Sequence, residues 1–251
     1  MKLRWLIVLG LVAFLVTLVG AAPAANLWQW FKPDGIAVEL DGLDGTLSHG
    51  RVATVSAGGR PLAGPLEWRL QPLWLLLAKV SVSLRSEGDV NGQGHFRISP
   101  LGALSVSDLE LEAALPDVLR NSGYGYLPID GRFSLDLRAL DLAGRLPTAI
   151  DGQLDLRSLQ WKFGRTPLAL GSFRAILSTE GRTQHAAITT VDGTLDVSGE
   201  GTLDAEGAYD LHLQLKAKPG TEPQLQNLLR GLGRPDNQGY YHFRTRGTAK
   251  P

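Results

Sequence analysis

The chain has 251 residues, with 25 basic and 25 acidic side chains and no cysteine. This neutral charge balance provides no net field that would attract nucleic acid or an acidic substrate. Without cysteine there are no disulfides or thiolate metal ligands, so the fold depends on its core and sheet ladders. With 30 Gly and 14 Pro, frequent turn dipeptides and little helical periodicity, the composition predicts a mainly β protein.

The first segment, residues 1–31, is predicted to be a membrane anchor with an aromatic collar. Lys2 and Arg4 precede an apolar run from Trp5 to Ala24. About twenty helical residues at about 1.5 Å each cross a hydrocarbon core of about 30 Å. The two cations favour a cytoplasmic N-terminus, so the body of the chain is expected on the far side. The collar at the exit interface consists of Trp28, Trp30 and Phe31.

The same segment has an alternative interpretation as a cleavable secretory signal. Ala22-Pro23-Ala24 has the small-x-small spacing that a signal peptidase recognises. Retention is favoured because proline lies inside that triplet and the apolar run exceeds a signal core of about 7 to 15 residues. Both interpretations agree that the body is exported.

Residues 32–115 are predicted to form the first β-rich half. Apolar and polar residues alternate at period two in four stretches, which is typical of half-buried strands, and these are 36–40, 65–70, 80–85 and 104–113. Close glycines between Gly42 and Gly50 predict two short strands joined by a tight turn. Asn91-Gly92 predicts a further hairpin turn before a strand at 95–98.

Residues 116–129 are predicted to be a short helix and a connection between two halves. The segment from Leu115 to Asn121 has Pro at its start, and a Gly- and Pro-containing stretch, 123–128, closes it.

Residues 130–251 are predicted to form the second β-rich half, with a helix near 223–231. Glycine followed by alternating apolar residues recurs at Gly131, Gly152, Gly193 and Gly201, which predicts repeated strand starts in an antiparallel meander. Apolar residues at i, i+3 and i+4 mark the helix. The predicted fold is therefore a curved, mostly antiparallel β-sheet body with two short helices.

The sequence contains no recognisable catalytic or metal motif. The five histidines form no i, i+3 or i, i+4 pair, and they are His49, His95, His185, His212 and His242. There is no G-x-S-x-G elbow and no phosphate-binding loop. Gly92-Gln-Gly94 and Gly199-Glu-Gly201 lack the third glycine of a dinucleotide fingerprint and predict hairpins instead. We therefore expect neither an enzyme nor a cofactor.

Two sets of side chains are candidate site residues. Asp136, Asp155 and Asp196 recur in the repeated pattern, and a glycosidase would need two carboxylates about 5 to 10 Å apart. Their alternation with Leu and Val instead predicts that they lie on the solvated face of the sheet. The second set is Trp68, Trp74 and Trp161, and such residues are more often core anchors than a ligand site. In a curled sheet with an apolar concave side they would be candidates for holding an acyl chain or peptide.

Three blocks resemble the type II secretion system protein N family of Gram-negative bacteria. They are LDGTLSHGRVA at 43–53, LEWRLQPLWLL at 66–76 and LLRGLGRPDNQGY at 228–240. The resemblance covers nearly the whole chain in order, and the glycine-started strands between the blocks are generic.

This resemblance implies a single-pass accessory component of the inner membrane with a periplasmic body. It implies no catalytic residues; its partners would be other subunits of the inner-membrane platform, together with the lipid bilayer, and exoprotein is a further candidate. A looser likeness to β-rich, membrane-anchored periplasmic proteins that handle lipid implies an alternative function in lipid binding or transfer. A periplasmic hydrolase, the third class, would require a convergent polar cluster in a cleft.

Overall fold

A computed structural model describes residues 23–24, 38–57, 60–71, 74, 79–100, 102–144, 146–162 and 166–249. Strands predominate and two short helices accompany them, which confirms the predicted mainly β, antiparallel class. The chain forms two compact units, Met1–Asp108 and Leu109–Pro251. The predicted curvature of the sheet stays a prediction.

The anchor and collar residues lie outside the described part of the chain, and they are Lys2, Arg4, Trp5, Trp28, Trp30 and Phe31. Within the described ranges, no helix has both the length and the apolar character that a membrane crossing needs. The predicted membrane anchor therefore stays a prediction.

The first unit consists of short antiparallel strands. Its strands are β1 (Val38–Asp41), β2 (Asp44–Gly45), β3 (His49–Val52), β4 (Thr54–Ala57), β5 (Arg60–Ala63), β6 (Leu66–Leu70), β7 (Val80–Ser86) and β8 (Val90–Ile98). β1, β4 and β5 form a three-stranded sheet, whereas β2, β3, β6, β7 and β8 are successive neighbours in another. The two strands predicted around Gly45 and Gly50 are confirmed as β2 and β3. β9 (Leu104–Ala114) crosses the boundary between the units.

The hairpin predicted at Asn91-Gly92 is wrong, because both residues lie inside β8. The turn between β7 and β8 lies at residues 87–89 instead. The Gly88 N–H donates a 2.9 Å hydrogen bond to the side-chain oxygen of Asn91. Asn91 thus stabilises the turn from its position in β8, so the Asn-Gly pair follows the turn and does not form it.

The second unit is an antiparallel meander with two helices, which lie where the sequence predicts helices. The helices are α1 (Leu115–Asn121) and α2 (Pro223–Arg230). The strands are β10 (Ile129–Ala143), β11 (Leu146–Trp161), β12 (Leu168–Glu180), β13 (Thr183–Asp192), β14 (Leu195–Leu203), β15 (Ala208–Ala217) and β16 (Tyr241–Thr248). From β10 to β16, each strand pairs antiparallel with the next one in sequence.

Glycine marks a strand start at two of the four predicted positions, since Gly131 is the third residue of β10 and Gly193 lies two residues before β14. Gly152 and Gly201 lie in the interior or near the end of β11 and β14, and Gly199 lies mid-strand rather than in a hairpin. A Cβ added to Gly199 would lie 2.6 Å from Leu213 Cδ2 on the neighbouring strand. The strand interior therefore needs glycine where a cross-strand leucine covers the backbone.

The core of the second unit lies beneath both helices. It consists of eight buried side chains, and these are Leu115, Leu159, Leu168, Phe173, Leu195, Val197, Leu225 and Leu229. Leu225 and Leu229 are four residues apart on α2, so they occupy one face of that helix. Because α1 and α2 contribute to the same cluster, they stabilise one common end of the meander.

Candidate functional site

Trp68, one of the predicted aromatic candidates, lies half-buried in β6 of the first unit. It pairs with Gly50 of β3, and the atoms of its six-membered ring occupy the space that a Gly50 side chain would take. Its indole Nε1 donates a 3.1 Å hydrogen bond to the Leu47 carbonyl. Trp68 therefore fixes the hairpin of β2 and β3 through both its ring and its polar edge.

Trp74 and Trp161 have different surroundings. The Trp74 Nε1 donates a 2.9 Å hydrogen bond to Gln71 Oε1, and the Arg97 guanidinium carbon lies 5.1 Å from the ring centroid. That distance is within the range of a cation–π contact. Trp161 ends β11 in the second unit and packs against the core beneath the helices.

A group of polar side chains on β15, β16 and the segment before β16 forms what we call the C-terminal polar face. Its members are Asp210, His212, Asp236, His242, Arg244 and Arg246. No spacing in the sequence predicts that His212 and His242 lie together. The alternation in β15 and β16 predicts that such residues share a face, but only the strand register brings them together.

Asp236, His242 and His212 form a hydrogen-bonded chain on this face. The His242 Nε2 lies 2.9 Å from Asp236 Oδ2, and its Nδ1 lies 3.3 Å from His212 Nε2. The ring centroids are 5.6 Å apart. This distance is close to the nitrogen separation plus one centroid-to-nitrogen distance in each ring, so the two nitrogens lie nearly on the line that joins the centroids. The chain accommodates neutral rings or one imidazolium, whereas two imidazoliums would place two N–H groups in opposition.

Hydrogen bonding keeps Asp236 ionised. The bond from His242 has the largest effect, and together with those from the Tyr240 and Gln238 N–H groups it holds the pKa of Asp236 below its usual value of 3.8. Asp236 Oδ1 accepts the two backbone bonds at 2.9 and 2.8 Å. Asp236 therefore orders the turn before β16 and orients His242.

Asp210 binds two guanidinium groups from β16. Arg244 donates from Nε at 3.0 Å and from Nη2 at 2.6 Å, and Arg246 donates from Nε at 2.9 Å. These bonds, led by the one from Arg244, lower the pKa of Asp210 to about 2. One carboxylate with two guanidiniums leaves a net positive charge on this part of the face.

In the described part of the chain, no group of three or more His, Asp or Glu side chains could hold a metal ion. The face is an assembly of ion pairs and hydrogen bonds in which two aspartates balance two arginines, and guanidinium groups exceed carboxylates only around Asp210. Its chemistry suits polar recognition.

Comparison with known proteins identifies the family. The family model described as "Type II secretion system (T2SS), protein N" matches residues 37–244, which is most of the chain. The chain belongs to this family. A Type II secretion system protein N from Aeromonas hydrophila is 29% identical over 255 residues, covering 95% of this chain and 96% of that protein. No solved structure matches.

One charged group of this T2SS protein N family member was wrongly predicted to be solvated. Asp155 is buried, whereas Asp136 is exposed and Asp196 is half-buried. Arg174 is the cross-strand partner of Asp155 and donates to it from Nε at 2.8 Å, and Gln153 donates to the same carboxylate at 2.6 Å. Alternation alone does not reveal a partner on the next strand, which is why the prediction failed.

The apolar face of the meander in the second unit extends past the helices. Leu215 packs in the core beneath them, and Leu213 and Leu211 follow at alternate positions of β15 on the same face. Both are half-buried, and the opposed Phe243 of β16 is 39% exposed. This face thus carries apolar side chains that solvent still reaches.

Proposed function

We propose that this protein is an inner-membrane-anchored accessory component of the type II secretion system that supports the export of folded periplasmic proteins across the outer membrane. The observation that carries the proposal is the family match over residues 37–244. The match covers the described β body from β1 to the start of β16, so the likeness extends over the folded part and is not confined to one motif.

The role that fits this body is that of a scaffold held at the membrane by residues 1–31. An apolar N-terminal segment that follows Lys2 and Arg4 supports a retained anchor with a periplasmic body. The family is one of secretion components, which supports partners among the other subunits of the inner-membrane platform. The long antiparallel ladders of the second unit supply a rigid framework for such contacts.

The test is exoprotein release by the native Gram-negative host. Deletion of the gene is expected to lower the amount of exoprotein in the medium and to retain it in the periplasm, and the full chain should restore export. A version in which a cleavable signal replaces residues 1–31 serves as the matched control, since it delivers the same body without an anchor. Normal export after deletion would refute the secretion role.

Restoration by the released body at equal abundance would refute the anchoring role alone. Mass spectrometry of the mature N-terminus tests the same point directly. A retained anchor predicts a chain that includes the segment from Trp5 to Ala24. A chain that starts near Ala25 would show that the segment is removed.

The partly exposed apolar row of the second unit favours one alternative, which is the binding or transfer of lipid. Leu211, Leu213 and Phe243 form a surface that could contact an acyl chain. Native mass spectrometry of the purified chain would then show bound phospholipid, and Leu213→Glu should remove it. Gln214→Glu adds the same charge to the opposite face and should not. An equal lipid content in both variants would contradict this alternative.

A further inference from the structure

β16 is the outermost strand on its side of the second unit's sheet. Among the described residues it pairs with β15 and with no other strand. Its register with β15 runs from Tyr241 to Thr248 without a shift, whereas the shifts in this unit lie between β10 and β11, β11 and β12, and β12 and β13. Natural sheet edges are commonly protected by bulges, proline or charged side chains, and β16 contains no bulge or proline but carries Arg244 and Arg246.

One hydrogen bond just beyond the end of β16 shows which of its residues bond to β15. The Ala249 N–H donates to the Gly207 carbonyl at 2.7 Å. In an antiparallel ladder successive residues alternate between bonding to the neighbour and pointing away from it. Four residues therefore direct their backbone N–H and C=O groups away from β15, and they are His242, Arg244, Arg246 and Thr248.

The side chains of β16 leave an excess of positive charge at Arg244 and Arg246 without covering the edge. The guanidiniums of Arg244 and Arg246 both bond to Asp210 on β15, so they lie back over the neighbouring strand. The open backbone beyond them remains accessible among the described residues. One carboxylate, Asp210, serves the two guanidiniums of Arg244 and Arg246, which leaves a net positive charge at these two positions, whereas Asp236 offsets any charge on His242.

We propose that β16 is a docking strand, to which an extended segment of a partner protein with acidic side chains at alternate positions adds as a further strand. Addition of a strand to a sheet edge supplies main-chain hydrogen bonds for affinity, and alternate side chains supply specificity. Opposite charges on directly opposed residues stabilise such a pair. The proposal concerns a protein contact beyond the secretion role and does not depend on it.

A second copy of this chain is the poorer occupant. Suppose that two copies pair antiparallel through β16, with the same side of both sheets facing one way. Even-numbered residues of one copy then lie opposite even-numbered residues of the other. Arg244 would then face Arg246 or itself, or His242 would face an arginine. Like charges in directly opposed positions destabilise a sheet, so the edge disfavours its own copy.

The experiment uses the full chain in detergent and synthetic octapeptides of alternating Val and Glu. We expect this peptide to bind at least tenfold more tightly than one in which Lys replaces Glu. N-methylation of the peptide amides on one edge should abolish binding, whereas N-methylation on the other edge should not. Equal affinity for the Glu and Lys peptides, or no binding at all, would overturn the proposal.

Amide hydrogen exchange locates the bound peptide. The amides of His242, Arg244, Arg246 and Thr248 should become protected, because they point away from β15 in the free protein. The amides of Phe243 and Thr245 should change little, since they already bond to β15. Protection confined to other strands would overturn the proposal.

Thr248→Pro removes one outward N–H without changing the charge, and Thr248→Ala is its matched control. Proline is tolerated at an edge where the N–H faces solvent, so circular dichroism should show an unchanged fold. The Pro variant should bind the Glu peptide at least fivefold more weakly than the Ala variant. Equal binding by the two folded variants, or a dimer of the free chain that Thr248→Pro dissociates, would overturn the proposal. The N-methylated peptides test the same bonds if the Pro variant does not fold.

Discussion

Asp155 offers the sharpest test of how the second unit is stabilised. Its side chain is 8% exposed, and it bonds to Arg174 and Gln153. Replacement by alanine leaves the Arg174 charge without its carboxylate. Removing one member of a buried ion pair costs about 3–5 kcal/mol, but Arg174 is 42% exposed and regains water. We therefore expect Asp155→Ala to lower the unfolding free energy by about 2–3 kcal/mol, as for a hydrogen bond to a charged group.

Asp151→Ala is the matched control, because it removes an ion pair from the same strand. Asp151 bonds to Arg138 at 2.6 Å, but both side chains are well exposed. Exposed pairs contribute about 0–1 kcal/mol. The measurement is urea unfolding followed by hydrogen exchange of the β11 and β12 amides, since a chain with two units need not unfold in one step.

The effect of Asp155→Ala should depend on pH. Burial by itself raises the pKa of Asp155, but hydrogen bonds from Arg174 and Gln153 lower it more, so the pKa lies below its usual 3.8. A carboxyl with a lowered folded-state pKa stabilises the fold above its unfolded pKa, and this contribution is lost as pH falls through the folded pKa. The difference from the unmodified chain should be largest above the unfolded pKa of about 3.9 and should shrink as the pH falls through the lowered folded-state pKa. A cost no larger than that of Asp151→Ala, or no change with pH, would refute this reasoning.

Other tests concern glycine, the helix α2 and the C-terminal polar face. Gly199→Ala should destabilise the unit by at least about 1 kcal/mol because its Cβ would meet the backbone of β15, whereas Gly201→Ala, whose nearest contacts are 3.5 Å away, should be neutral or stabilising in urea unfolding. Leu225→Ala on α2, at 0% exposure, should cost about 2–5 kcal/mol. Leu228→Ala, at 43% exposure, should cost under about 0.5 kcal/mol, and equal costs would contradict the assigned helix face. Carboxyl NMR should find the pKa of Asp210 near 2, and a value near 3.8 would contradict its two guanidinium bonds.

Local patterns predicted the elements of this fold well. Period-two alternation identified the strands because each side of a strand meets one environment. Proline at the start of α1 and apolar spacing in α2 identified the helices because both signals act within one or two turns. These signals need no knowledge of which strand lies beside which.

Features that depend on cross-strand partners were not predictable in the same way. Asp155 is buried because Arg174 lies opposite it in register. His212 approaches His242 because β15 and β16 pair across residues 218–240, and no spacing in the sequence records that register. Functional candidates that lie on single strands could thus be named from the sequence, whereas the C-terminal polar face required the structure.

The consecutive pairing of β10 to β16 has a consequence for how the second unit folds. Each strand finds its partner next to it in the chain, so the sheet can grow by successive local closures, and low contact order favours fast folding. Most connections are tight turns, but residues 218–240 separate β15 from β16. Closing a loop of that length costs about 2 kcal/mol more than closing a short turn. β16 is therefore expected to join the sheet last and to detach from it first.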